Sequence, residues 1–261
     1  MVISMSITRL ITKIAAPAPK PDGFNRVLFI GPHPDDIEVG CGATAAKFAA
    51  EGKAVCYLIC IDGRYGDEYA GSAVTTEQLI EIRRQEAINA AEAAGVSDVR
   101  FLNLSDGGFY TEEELLTGIA RTVGDFRPDI IFCVDPDVTS ECHADHLNVG
   151  RAAKRIAFFA PFEKIMARYG AQAAPVQAIA MYMTAQPNRY VRTKGFFKKQ
   201  IQILSTCFPS QYPKENPALA SVILYLKLRA YEFGLKKLCG TAEGFRVLGV
   251  TQMHCLPEAG K

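Results

Sequence analysis

Three of the four histidines in this 261-residue chain fall in two short acidic motifs, Gly31-Pro32-His33-Pro34-Asp35-Asp36 and His143-Ala144-Asp145-His146. About 110 residues separate them, yet together they hold imidazoles, carboxylates and a spare acid-base group, the parts of a hydrolytic metal site. Two histidines and one carboxylate leave a position for water, which is the pattern of a catalytic zinc site and not of a closed structural one. The same donors also suit the facial triad of non-haem iron, so ligand type leaves zinc and ferrous iron both open. Zinc lowers the pKa of a bound water to about 7. Asp35 can then take its proton as general base.

Local chemistry agrees with that reading. His33 precedes a proline and is therefore biased toward extended backbone. The segment after it cannot be a plain helix start, and such a rigid loop tip can aim His33 and Asp36 at one point. Asp35 and Asp36 are adjacent, so outside a helix their side chains diverge: one can ligate while the other faces the water. Two neighbouring carboxylates without a basic partner repel, and a cation removes that cost. His143-x-Asp145-His146 lies at the start of a predicted helix, where Asp145 suits the positive end of the dipole. The same field disfavours a protonated histidine and favours His146 as a neutral ligand. His143, two residues before Asp145, can hydrogen-bond to it, which would raise its pKa.

The elements that must position these motifs alternate. Strands are expected at Arg26–Gly31, Ala54–Ile61, Val99–Leu104, Asp129–Val134 and Val176–Met183. Helices are expected at Gly42–Glu51, from the capping box Thr75-x-x-Gln78 to Ala94 with Gly95 as its stop, after a second box Thr111-x-x-Glu114, and after the second histidine motif, with Val149, Ala152, Ala153, Ile156, Ala157 and Ala160 on one face. This order predicts an α/β fold with a Rossmann-like, mostly parallel sheet and helices on both faces. Ligands in such sheets bind beyond the carboxyl ends of the strands, and both motifs fall there. Residues 186–214 read as polar, basic and loop-rich, followed by a helix near Pro217–Lys237. We divide the chain into an arm and linker (1–25), a single domain with its C-terminal extension (26–250) and a tail (251–261).

Composition excludes several classes. With 29 basic and 28 acidic residues there is no nucleic-acid footprint. No apolar run reaches the roughly 18–20 residues of a membrane span. The amphipathic pattern Ile3, Ile7, Leu10, Ile11, Ile14 lacks the features of a signal peptide and reads as an arm packing on the domain or on a neighbouring subunit. The eight cysteines include no CxxC pair and read as reduced thiols of a cytoplasmic protein, with Cys142 singled out because it adjoins His143. Gly40-Cys41-Gly42-Ala43-Thr44-Ala45 fits a dinucleotide fingerprint, but the histidine motif intervenes between it and its strand. These glycines are expected to permit close helix packing under the site instead.

In this order the two motifs resemble those of the PIG-L/LmbE-like de-N-acetylase family. The stretch His33-Pro34-Asp35-Asp36-Ile37-Glu38-Val39-Gly40-Cys41-Gly42 is very close to its hallmark. The likeness continues through Arg83-x-x-Glu86, Leu104–Gly107 with Asp106, Ser210-Gln211 and Ala242-Glu243-x-Phe245, covering about residues 26–250. The resemblance implies a zinc-dependent amidase, with ferrous iron as the alternative metal, that removes acetyl from an N-acetylglucosamine-type small-molecule amino sugar. It implies His33, Asp36 and His146 as metal ligands, Asp35 as general base, and His143, held by Asp145, as the group that stabilises the oxyanion or protonates the leaving amine. Arg83 and Asp106 would contact the sugar side. Read without the resemblance, Arg83 would pair with Glu86 one turn away, and Asp106 would form a turn before Gly107-Gly108. Cleavage of a thiol-sugar conjugate at the same centre and a non-catalytic nucleotide-binding protein are the competing readings. The resemblance further implies a homo-oligomer. The chain departs from the pattern at Ala144, where proline is frequent, at Ala43, where glycine is common, and at Phe208-Pro209, where many bacterial members have a histidine and a basic residue. With no tryptophan present, sugar stacking would fall to Tyr65, Tyr69 and Tyr110.

Overall fold

The computed structural model describes residues 7–66, 74–213, 217–254 and 256. Its strands are β1 (Arg26–Gly31), β2 (Ala54–Ile61), β3 (Asp98–Leu104), β4 (Ile130–Val134), β5 (Ala178–Tyr182), β6 (Arg189–Arg192) and β7 (Ala242–Gly249). They form one sheet in the order β3-β2-β1-β4-β5-β7-β6. β1 to β5 run parallel, whereas β7 is antiparallel to both its neighbours. β1, β2 and β4 read as near-continuous apolar runs because helices cover both faces.

The helices are α1 (Ile7–Ala15), α2 (Asp36–Ala50), α3 (Thr76–Ala94), α4 (Glu112–Phe126), α5 (Ala144–Phe159), the one-turn α6 (Glu163–Met166), α7 (Phe197–Thr206) and α8 (Pro217–Lys236). α2, α3, α7 and α8 bury their apolar residues against one face of the sheet, and α4 and α5 against the other. Both capping boxes form: Thr75 and Thr111 each accept from the amide three residues on, and Gln78 and Glu114 reach back. The α5 stripe lies wholly in the core.

The structure corrects the sequence reading in three places. α2 begins at Asp36, not Gly42, and breaks at Cys41, whose φ of −156° is non-helical. Residues 186–214, read as loop-rich, also hold the short strand β6 and the helix α7, which were not expected. A final strand, β7, was not expected. Gly40 does serve close packing, since a Cβ there would come within 2.2 Å of the Tyr182 ring.

Candidate metal centre

The strand order reverses between β1 and β4. β1 continues through β2 to β3 on one side, and β4 starts the return on the other. The crevice beyond their carboxyl ends is the place where such a sheet binds ligands. The first histidine motif leaves β1 there, and the second follows β4 through residues 135–143.

In the first loop the His33 amide donates to Asp36 Oδ2 at 2.8 Å, closing a tight turn. Asp35 takes φ 117°, ψ −25°, a left-handed conformation that a non-glycine residue holds only when its surroundings enforce it. Those surroundings come from the 208–213 segment. Gln211 Nε2 donates to the Pro34 carbonyl at 2.7 Å, and the Tyr212 hydroxyl donates to Asp35 Oδ2 at 2.6 Å. Asp36, released from that turn, opens α2 and points into the crevice.

Three candidate donors meet there. His33 Nδ1 lies 3.3 Å and His146 Nε2 3.4 Å from Asp36 Oδ2, and one donor atom from each of the three residues falls within 4.8 Å of the others. Tetrahedral zinc with bonds of about 2.0–2.1 Å spaces its donors by about 3.3 Å, so the set fits a divalent ion. A second cluster shares His33: His33, Asp106, His143 and Asp145. Its carboxylates are already engaged. Asp145 is fully buried and accepts from the Gly107 and Gly108 amides at 2.9 and 2.8 Å, from Tyr110 Oη at 2.9 Å, and lies 3.1 Å from His33 Nε2. Asp106 Oδ1 accepts from the Gly107 amide at 2.7 Å and lies 3.2 Å from His33 Nε2. These two acids therefore orient the His33 ring from behind, leaving Nδ1 for the first cluster.

A model of the family described as "PIG-L: GlcNAc-PI de-N-acetylase" matches residues 28–157, which carry both motifs. The chain belongs to the PIG-L family. It is 28% identical to the diacetylchitobiose deacetylase of Thermococcus kodakarensis over 98% of this chain and 94% of that one. It is 31% identical to a 1D-myo-inositol 2-acetamido-2-deoxy-alpha-D-glucopyranoside deacetylase of Kineococcus radiotolerans over 66% of this chain, spanning 55% of that protein's length. Among solved structures, the N,N'-diacetylchitobiose deacetylase of Pyrococcus horikoshii superposes with a TM-score of 0.85 at 24% identity, covering 98% of each chain. A 4-carboxy-2-hydroxymuconate hydratase from a Pseudomonas species superposes with a TM-score of 0.72 at 16% identity, covering 85% of this chain and 96% of that one. A deacetylase and a hydratase on one frame show that these superpositions establish the fold and leave the reaction to the site.

The electrostatics of this PIG-L site differ from the sequence expectation in one respect. The helix-end field was expected to keep His146 neutral. Burial does lower its pKa, but Asp36 and Glu141 outweigh both and raise it to about 9. Burial opposes ionisation of Asp36 too, yet His146 and His33 hold it well below the ordinary carboxylate range. Burial and the neighbouring Asp36 push Asp35 up to about 7, against the Tyr212 hydrogen bond. The carboxylates that draw a proton onto these imidazoles would equally favour a divalent cation in the proton's place.

Other expected site residues take altered positions. His143 caps α5, its Nδ1 accepting from the Asp145 amide at 3.3 Å, and its ring stacks on His146 with centroids 4.8 Å apart. Its approach to Asp145 Oδ2 is only 3.7 Å, so Asp145 chiefly serves His33. Arg83 is buried and makes no ion pair with Glu86. Its terminal nitrogens donate to the Gly63 and Gly66 carbonyls at 2.8 and 2.5 Å, while Glu86 accepts from the Ser210 amide and hydroxyl. Tyr110 is committed to Asp145, and Tyr69 lies outside the described residues. Phe208 is a core residue at 1% exposure, so the departure there alters packing.

Sequence reasoning missed three participants. Glu141 lies 2.9 Å from His146 Nδ1 and accepts from the His143 amide at 2.8 Å. It sits five residues before His146, a spacing with no helical or strand signature. Tyr212 directly follows Ser210-Gln211, and that adjacency could have flagged it. Phe109 stands exposed at the rim, edge-to-face with Tyr65 at 6.0 Å, both rings above Gly107.

Proposed function

We propose that this chain is a metal-dependent hydrolase that removes the acetyl group from the nitrogen of an N-acetylglucosamine-type sugar or glycoconjugate. The observation that carries this reading is the convergence of His33, Asp36 and His146 within 4.8 Å, beside a buried Asp35 that the chain holds in a strained backbone conformation. The names of its relatives, diacetylchitobiose deacetylase and an acetamido-glucopyranoside deacetylase, supply the substrate class.

His33, Asp36 and His146 would hold the ion, zinc in our reading with ferrous iron as the alternative. Bound there, a divalent ion supplies Lewis acidity toward a carbonyl and lowers the pKa of water. The protein's own groups do the rest. Asp35, fixed by Tyr212, takes up the proton of the attacking water as general base. His143 stands at the mouth with its side chain 46% exposed, placed to donate to the acetyl oxygen or to the departing amine. Asp145 and Asp106 lock the His33 ring. Arg83 acts on the sugar side indirectly, by pinning the 62–66 loop that carries Tyr65. Four buried free thiols, Cys41, Cys56, Cys60 and Cys133, support assignment to a reducing compartment such as the cytoplasm. No helix among the described residues is long and apolar enough to cross a membrane.

The test is acetate release with matched appearance of free amine from N,N'-diacetylchitobiose and from an N-acetylglucosaminyl inositol, run on protein of measured metal content. Stoichiometric acetate and amine are expected. Metal-loaded protein that releases neither would sink the assignment.

A further inference from the structure

Two large aromatic rings stand in the open beside the metal centre. Phe109 is 73% exposed and Tyr65 58%, and they meet edge to face with their planes at 83°. Apolar side chains exposed singly need no explanation, but these two are paired, and each is held from beneath by a buried charged group. Phe109 leaves a turn in which Gly107 and Gly108 both take positive φ, 77° and 79°. The amides of that turn donate to the two oxygens of fully buried Asp145. Tyr65 sits between Gly63 and Gly66, whose carbonyls buried Arg83 grips, and its own amide donates to Asp106 Oδ2 at 3.4 Å. The two rings form an L-shaped corner that is fixed before any ligand arrives, so a ligand need not bear the cost of ordering it. Tyr110, expected to stack on sugar, donates to Asp145 instead, which leaves that role to its neighbour Phe109.

The corner is continuous with the metal centre. Both rings lie over Gly107, where a Cβ would come within 3.2 Å of Phe109 and 3.8 Å of Tyr65. The Gly107 amide donates to Asp106 and Asp145, whose oxygens lie 3.2 and 3.1 Å from His33 Nε2. One glycine and one carboxylate therefore separate the corner from the His33 ring. Gly108 packs beside Ala144, the residue between His143 and Asp145. We propose that Phe109 and Tyr65 form a stacking subsite for the second pyranose of an N-acetylglucosamine disaccharide, the ring bonded to the one whose acetamide is cleaved. The inference rests on the deacetylase reading above and names the feature that selects a disaccharide over a monosaccharide. A pyranose with equatorial substituents carries its hydroxyls around its edge and only axial C–H groups on its faces. One such face can lie on the first aromatic ring while its flank meets the second. A phosphodiester-linked group is the poorer occupant, because the adjacent guanidinium of Arg64 is closed on Asp62 through Nε and Nη2. An alkyl chain is poorer too, since it gains most in an enclosed groove and two rings make only a corner.

The test compares N,N'-diacetylchitobiose with N-acetylglucosamine on metal-loaded protein, as the ratio of their kcat/KM values. Binding energy from a remote ring, felt equally before and during the reaction, enters KM. Phe109→Ala is expected to cut the preference for the disaccharide about 10-fold, through KM, and Tyr65→Ala by a comparable factor. Phe109→Tyr should keep the preference, whereas Phe109→Leu, apolar but without a flat face, should not. Binding is read apart from turnover on Asp35→Ala protein. There, NMR saturation transfer from aromatic protons should reach both rings of the disaccharide, and adding Phe109→Ala should weaken it at one ring only. Absent turnover with that NMR pattern would fault the deacetylase reading and uphold the subsite. A wild type without preference for the disaccharide overturns the proposal, as does an unchanged preference in both alanine variants or an equal loss on both sugars. A loss confined to octyl N-acetylglucosaminide would assign the corner to an alkyl chain instead. A fall in mass by light scattering in Phe109→Ala, with the preference unchanged, would assign it to a neighbouring copy of the chain.

Discussion

Glu141 offers the sharpest test of how the candidate metal centre is held. Its carboxylate spans two elements of the second motif: Oε2 lies 2.9 Å from His146 Nδ1, and Oε1 accepts from the His143 amide at 2.8 Å. Burial alone would raise its pKa, but those two contacts hold it below the ordinary glutamate range, so it is ionised at neutral pH. An imidazole whose far nitrogen donates to a carboxylate is fixed in tautomer and rotation, and removing such a partner typically costs 10–100-fold in metal affinity, or about 1.4–2.7 kcal/mol. Glu141→Ala is therefore expected to weaken divalent-ion binding by roughly that factor. Glu141→Gln keeps an acceptor for Nδ1 and should lose less than about 10-fold. The assay is competition with a chromogenic chelator for zinc or cobalt at fixed pH, paired with kcat at saturating metal. Turnover at saturation should change far less than affinity, because Glu141 contacts His146 and the His143 amide and makes no contact with Asp35. Metal affinity unchanged in Glu141→Ala, alongside its loss in His146→Ala, would refute the orienting role and leave Glu141 as a helix-start contact only.

The remaining predictions follow from the same contacts. Asp35→Ala should keep its metal and lose turnover by roughly 10²–10⁴-fold, the usual worth of a positioned proton acceptor; metal analysis beside kinetics reads this, and normal turnover would remove Asp35 from the mechanism. His146→Ala should come through dialysis without metal. Gly40→Ala drives a methyl against the Tyr182 ring and should destabilise the fold by roughly 1–3 kcal/mol in urea unfolding; a neutral result would mean that the ring yields freely. Glu243 is buried, and although the Ala43 and Thr44 amides pull its pKa down, burial pushes it from 4.5 up to about 7. Its stabilising contribution is complete below pH 4.5, where the carboxyl is neutral folded or unfolded, and is lost as pH rises through about 7. The gap corresponds to roughly 3 kcal/mol. Glu243→Gln should flatten that part of the stability-pH curve between pH 5 and 8, and an unaltered slope would contradict the assignment.

What the sequence revealed tracks how local each signal is. β1 and β2 were read to the residue because buried parallel strands are unbroken apolar runs. α3 and α4 were read from capping boxes that close within four residues. The two histidine motifs stood out because few other roles need those residue types together, and the fold brings His33, Asp36 and His146, the ligands implied by the resemblance, within 4.8 Å of one another. The failures involve distant partners. The turn Asp36–Gly40 looks unlike a helix until Tyr212 and Gln211 are seen holding the loop before it. Arg83 was expected to pair with the charge one turn away, whereas it donates to the carbonyls of Gly63 and Gly66, 20 and 17 residues earlier in the chain. β7 is buried along its whole length, so it lacks the alternation that marks a half-exposed antiparallel strand.

The position of β7 has a consequence for assembly. It follows β6 in the chain but lies inside it, between β5 and β6, so β6 has no sheet to join until residues 242–249 have been made. The same strand brings Glu243, whose carboxylate accepts from Ala43 and Thr44 across about 200 residues and anchors the rear half of α2. During synthesis the histidine-bearing half leaves the ribosome well before this anchor does. Contacts so remote in sequence are slow to form because the loop-closure entropy must be met first. The nascent chain therefore passes through a stage in which β5 is a bare, apolar sheet edge, the kind of surface that chaperones hold and that neighbouring chains can pair with.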